Sequence, residues 1–216
     1  MKKVVYTAII KDGADKSLSV TEPKKVTKGW DYVAFVDDPN LTSKRWNLVH
    51  VDRDMSINSR KQARKYKILN DKYFSDYDIS VWIDSRFKIN CDLDKLVKTY
   101  LTSDYDIAMM RSPKRQCIFK ELIYCKAHTQ CSKKALMKQH DRYKKEGVPS
   151  DLGLLRTGLI MRKHNIPNQT AFMEEWFEEI INESERDTPS FAYALWKRPL
   201  RLNIMPTKKI YNMFRR

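Results

Sequence analysis

Apolar positions along the chain fall into short runs broken by polar clusters, and the runs alternate between two kinds. Residues 3–10, 31–36, 46–51, 79–83, 106–110, 157–162 and 202–205 are largely unbroken apolar stretches of strand length. Their β-branched and aromatic content suits strands covered on both faces. A further short strand is predicted at 87–89. Residues 56–70, 93–101, 117–146 and 168–182 read as helices, the third as two helices in succession. In 168–182 the residues Phe172, Trp176, Phe177 and Ile180 form one apolar side. Asp92 is placed to cap 93–101, Gly147 to close 117–146, and Pro189 to sit in the first turn of a helix running through 191–196. Lys11-Asp12-Gly13, Asp37-Asp38-Pro39 and Arg111-Ser112-Pro113 are turn signals, and 17–28 is polar and irregular. Strands alternating with helices predict an α/β fold. The expected form is a three-layer α/β/α sandwich around a mostly parallel, mixed central sheet, with residues 1–216 making one domain.

The stretch that carries most information is 78–86, Asp-Ile-Ser-Val-Trp-Ile-Asp-Ser-Arg. An apolar strand runs into Asp84, Ser85 and Arg86. In open α/β sheets ligands bind outside the carboxyl ends of such strands. Asp84 reads equally well as a turn-capping residue. Other polar clusters also follow strands: Asp37-Asp38 after 31–36 and His164-Asn165 after 157–162. Where strands are parallel those ends converge. Two acidic sites and a histidine around one crevice would hold a divalent cation, Mg2+ or Mn2+, with histidine favouring Mn2+. Arg60, Arg64 and Lys67 share one helix face and would attract the phosphates such an ion bridges. Together these groups are suited to stabilising a departing nucleoside diphosphate. Plainer readings stand beside them. Asp37-Asp38-Pro39 is an ordinary turn, His164 a satisfied histidine, the basic stripe a solvated face, and Asp187 an N-cap for the last helix.

Composition narrows the choice. The 216 residues carry a formal net charge of +15, which calls for anionic partners without choosing among them. With five glycines there is neither a G-x-G-x-x-G nor a G-x-x-x-x-G-K pattern. The four cysteines, Cys91, Cys117, Cys125 and Cys131, lack C-x-x-C spacing and read as reduced thiols. No run has the length of a membrane span, and the N-terminal apolar run is too short for a signal peptide; a cytoplasmic protein is expected. No compact nucleic-acid-binding motif accompanies the charge, so no nucleic-acid partner is expected. A basic nucleic-acid-binding protein and a nucleotidyltransferase remain the alternative readings.

In order along the chain, several short motifs resemble glycosyltransferases of the GT-A fold. They are Tyr6-Thr7-Ala8; Phe35-Val36-Asp37-Asp38-Pro39; Arg64 and Lys67 before Ile68-Leu69; and Trp82-Ile83-Asp84. They continue with Pro113-Lys114-Arg115-Gln116-Cys117-Ile118, Thr157-Gly158, Arg162-Lys163-His164-Asn165, and Ser184-Glu185-Arg186-Asp187 with Ser190-Phe191. The series is similar to a small family of GT-A-like domains from plants, bacteria and large algal viruses. It includes the N-terminal glycosyltransferase domain of a chlorella-virus protein that glycosylates the major capsid protein. The resemblance implies transfer of a sugar from a nucleotide-sugar, a UDP-sugar foremost, with Mn2+ or Mg2+, to a glycan or glycoprotein acceptor such as a viral capsid glycan. It places Tyr6, Thr7, Ala8 and Asp37 in the nucleoside pocket, and Arg64 and Lys67 on ribose or phosphate. Asp84 would sit on the metal, with His164 as the second candidate ligand and Ser85 and Arg86 beside the diphosphate. Arg186 and Asp187 would face the transferred sugar or acceptor. If the reaction inverts the anomeric centre, Asp187, Asp151 and Glu185 are candidate bases. Arg86 departs from a full D-x-D pattern, which has a carboxylate there.

Overall fold

The computed structural model describes residues 1–11 and 19–214. The turn predicted at Lys11-Asp12-Gly13 lies largely outside them, as does part of 17–28. Seven strands form one mixed sheet in the order β3-β2-β1-β4-β6-β5-β7. They are β1 (Lys3–Ile9), β2 (Asp31–Val36), β3 (Asn47–His50), β4 (Ile79–Ile83), β5 (Ile107–Arg111), β6 (Leu155–Lys163) and β7 (Leu202–Met205). The helices are α1 (Ser59–Ile68), α2 (Leu93–Tyr100), α3 (Ile118–His128), α4 (Lys133–Lys145), α5 (Pro167–Asn182), α6 (Asp187–Lys197) and α7 (Thr207–Met213).

The alternation of side chains across the sheet builds two cores. On one face Val81 and Ile83 of β4 meet Leu93, Leu96 and Val97 of α2 and Ile210 of α7. On the other, Tyr6 of β1 and Trp82 of β4 meet Ala63 and Tyr66 of α1, Phe172 and Trp176 of α5, and Phe191 of α6. A third cluster holds the α3–α4 hairpin against Ala192 and Tyr193 of α6. The α/β/α layering is therefore as expected. Asp92 caps α2 by accepting from the Lys95 N–H at 3.1 Å, and Gly147 follows α4 with φ 75°.

Two expectations are corrected, and one element is added. Residues 87–89 form no strand; the chain turns after β4, with the Phe87 N–H donating to the Asp84 carbonyl at 2.8 Å. Residues 207–213, for which the sequence pattern predicts no element, form a helix, α7, whose Ile210 is fully buried. Most consequential is β6, which is antiparallel to both β4 and β5 while the other four pairings are parallel. Ile79 pairs with Lys163 and Ile83 with Leu159. The start of β6 therefore stands beside the end of β4, and the end of β6 beside its beginning. Convergence of His164 with Asp84 required a parallel β6.

Candidate active site

β4 is buried along its whole length, and the first residue beyond it is Asp84. Asp84 shares Trp82's face of the sheet, two residues on, and Trp82 Nε1 donates to Asp84 Oδ1 at 3.2 Å. The Asp84 N–H donates to the Gly158 carbonyl at 2.9 Å, which ties this turn to the start of β6. Gly158 leaves room for the carboxylate: a Cβ there would stand 3.0 Å from Asp84 Oδ2 and 3.0 Å from the Phe87 ring.

An open cleft of about 480 Å3 lies over this end of the sheet. Its floor is Ala8 at the end of β1, residues 84–87 after β4 and residues 155–158 of β6. Its walls are residues 112–115 after β5, Glu121 of α3, Arg64 of α1 and residues 186–188 at the start of α6. Six lining residues are cationic (Arg64, Arg86, Lys114, Arg115, Arg156 and Arg186) and three are acidic (Asp84, Glu121 and Asp187). The cleft therefore favours anions.

Behind the cleft wall, Lys67 is fully buried and donates to Asp187 Oδ2 at 2.6 Å, with Asp84 Oδ1 3.8 Å away. Arg64 Nε lies 3.0 Å from the same Asp187 oxygen. Burial alone would raise the Asp187 carboxyl's pKa; Arg64, Lys67 and Arg186 overcome that and hold it well below the usual carboxylate range. Burial pulls the Lys67 ammonium down, and Asp187 and Asp84 oppose the pull. Arg186 is the N-cap residue of α6 and lies 4.0 Å from Glu121 Oε1. Burial opposes its charge, yet Asp187 beside it helps keep its pKa raised. Glu121 Oε2 in turn accepts from Arg115 Nε. A relay of alternating charges thus runs from Lys67 and Arg64 through Asp187, Arg186 and Glu121 to Arg115.

The model of the TOD1/MUCI70 glycosyltransferase-like domain matches residues 4–216. The chain belongs to this family. A similar curated protein is the probable hexosyltransferase MUCI70 of Arabidopsis thaliana, 24% identical over 163 residues, which cover 72% of this chain and 28% of that protein. Among solved structures, mouse xyloside xylosyltransferase 1 in its apo form superposes with a TM-score of 0.53 at 7% identity, over 95% of this chain and 84% of that one. The apo structure of the bifunctional glycosyltransferase WbbM does so with a TM-score of 0.50 at 14% identity, over 95% of this chain and 38% of that one. These likenesses show the fold, a GT-A-type α/β architecture. The chain spans little more than a quarter of the curated relative's length.

In this glycosyltransferase-like domain Asp84, Ser85, Arg86, Ala8, Arg64, Arg186 and Asp187 come together at the cleft, with Lys67 directly behind. Other expected site residues stand elsewhere. Tyr6 is fully buried in mid-strand, and its hydroxyl donates to the Lys67 carbonyl at 3.0 Å and meets the Arg162 guanidinium. Thr7 is fully buried as well. The Asp37 carboxylate accepts the Lys11 N–H at 2.9 and 3.1 Å, stapling the end of β2 to that of β1. Asp151 lies exposed in the loop before β6, and Glu185 is buried with Arg60 3.8 Å away; neither lines the cleft. His164 is buried at the far end of β6, with Asn70 Nδ2 3.1 Å from Nε2 and Asp71 Oδ1 3.2 Å from Nδ1. It cannot share a metal ion with Asp84. Asp187 is the first residue of α6 and not its cap. Glu121 and Arg156 were not singled out from the sequence. Glu121 sits in an unremarkable helical pattern, and only the antiparallel course of β6, which pairs Arg156 with Met110 of β5, brings Arg156 to the cleft.

Among the described residues no group of three or more His, Cys, Asp or Glu side chains could enclose a metal ion. Magnesium-type sites need only one or two carboxylates when substrate phosphates complete the shell, and Asp84 supplies one. Arg86, 3.4 Å from Asp84 Oδ2, stands where a second carboxylate would be expected. No helix among the described residues is long and apolar enough to cross a membrane.

Proposed function

We propose that this domain transfers a sugar, a hexose foremost, from a UDP-sugar to a hydroxyl of a glycan or glycoprotein. The observation that carries the reading is Asp84 at the carboxyl end of β4, in a cationic cleft backed by the buried Lys67–Asp187 pair. Breaking the sugar–phosphate bond leaves growing negative charge on the departing diphosphate. Arg64, Arg186 and Arg86 are placed to meet that charge, and their own ion pairs hold them in position before the substrate arrives. Asp187 acts as the buried counter-ion that fixes Lys67 and Arg64; with its pKa held so low it is poorly suited to take a proton. Asp84 would hold a Mn2+ or Mg2+ ion through one carboxylate, and the ion would neutralise part of the diphosphate charge. His164 has no part in that site.

A viral capsid glycan is one acceptor consistent with the reading. The test is product analysis with UDP-sugars: release of UDP supports the transferase, whereas release of pyrophosphate from a nucleotide substrate would assign a nucleotidyltransferase instead. Asp84→Ala should abolish the UDP release.

A further inference from the structure

We propose that the acceptor taken by this cleft is an anionic glycan, with a carboxylate or phosphate close to the hydroxyl that is glycosylated. The proposal rests on the transferase reading and names its second substrate by charge.

The cleft's cations divide by their place on the sheet. Arg64 comes from α1, Arg86 from the end of β4 and Arg186 from the start of α6, all around Asp84 and Asp187. Lys114 and Arg115 follow β5, and Arg156 lies on β6. In the sheet order, β6 and β5 stand on the side of β4 away from β1, β2 and β3. A donor nucleotide over β1 and β4 leaves the β6–β5 side to the acceptor.

Counter-ions divide nearly the same way, with Arg115 the exception on the β5 side. Arg64 is balanced by Asp187, Arg86 by Asp84, and Arg115 and Arg186 by Glu121. Lys114 and Arg156 have no carboxylate within ion-pair distance among the described residues, and both face the cleft. They are surplus to what the fold balances, at the place an acceptor would occupy.

Two arginines on that side are also held over aromatic rings. The Arg156 guanidinium lies 5.0 Å from the Tyr211 ring centre and that of Arg115 3.6 Å from Tyr124. A stacked guanidinium loses less freedom on binding, and its planar fork suits a carboxylate or phosphate. Each charge-assisted contact of this kind is worth about ten- to a hundredfold in affinity.

The test is a calorimetric titration of the full chain, loaded with UDP, with three probes: a glucuronate-containing disaccharide, its carboxyl-reduced neutral counterpart, and a hexose phosphate. The expected result is binding of at least one anionic probe, the neutral disaccharide at least about tenfold weaker. The glucuronate and phosphate arms distinguish the two sources of charge. Lys114→Ala/Arg156→Ala should lose the preference while binding UDP as before, and Lys114→Arg/Arg156→Lys should retain most of it. Binding of the neutral disaccharide as tight as that of both anionic probes, no binding of any probe to the UDP-loaded chain, or an unchanged preference in the alanine variant overturns the proposal. Failure of the chain to bind UDP at all sinks the transferase reading, and this proposal with it.

Discussion

Lys67 Nζ donates to Asp187 Oδ2 at 2.6 Å, between two side chains 120 residues apart in sequence and both almost wholly out of water. Two charges removed from water are a liability unless they are paired, and each member holds the other there. The pair pins the end of α1 to the start of α6, the two helices that bring Arg64 and Arg186 to the cleft. Lys67→Met and Asp187→Asn should each destabilise the fold by roughly 3 kcal/mol, because each leaves a buried charge less well paired. The combined variant should lose clearly less than the sum. Denaturant unfolding of the four proteins measures this; strictly additive losses would mean that the two residues act independently.

Gly158 predicts a more local effect. A methyl group there would meet Asp84 Oδ2 and the Phe87 ring at 3.0 Å each. Gly158→Ala should cost about 1–3 kcal/mol of stability through overpacking. Its larger effect should be a fall of at least about tenfold in UDP affinity, a loss of some 1.4 kcal/mol in binding. Unchanged UDP affinity in a folded variant would show that the carboxylate's position does not matter.

His164 gives a pH signature. Burial lowers its pKa to about 4, with Asp71 opposing the shift. The unfolded chain, with a histidine near 6.5, binds more protons than the folded one between those values. Stability should therefore rise with pH from about 4 to 6.5, by an amount on the order of 3 kcal/mol from this residue. The contribution is complete above pH 6.5 and lost as pH falls through the window. His164→Gln should be less stable at neutral pH yet show a flatter profile between pH 6.5 and 4.5. A variant with the wild-type slope would assign that slope to other groups.

The strands were the most legible part of the chain. β2 and β4 fall where the apolar runs at 31–36 and 79–83 predict them, since a fully buried strand has no polar face to blur its ends. Asp84 was legible for the same reason, as the first charge after such a run. Strand direction was not. A fully covered antiparallel strand such as β6 presents the same apolar run as a parallel one, so His164 was expected at the wrong end of the sheet. Tyr6 was expected to face a ligand, but a residue in mid-strand under two helices can reach only its neighbours. The helix α7 hid in a Lys-rich stretch whose single fully buried anchor is Ile210. Arg64 and Lys67 on one helix face resembled a solvated stripe; only their long-range partner Asp187 tells them apart from one.

On the proposed reading Asp84 organises a nucleoside diphosphate site. Its most direct test is calorimetric titration of the wild-type chain and Asp84→Ala with UDP, each with and without Mn2+. UDP should bind the wild type in the micromolar range, more tightly with Mn2+, and Asp84→Ala should lose the Mn2+-dependent part with the fold intact. Absence of UDP binding in a folded wild-type sample, or binding that is indifferent to Asp84→Ala, would rule out a diphosphate site built on Asp84 and leave it a turn residue.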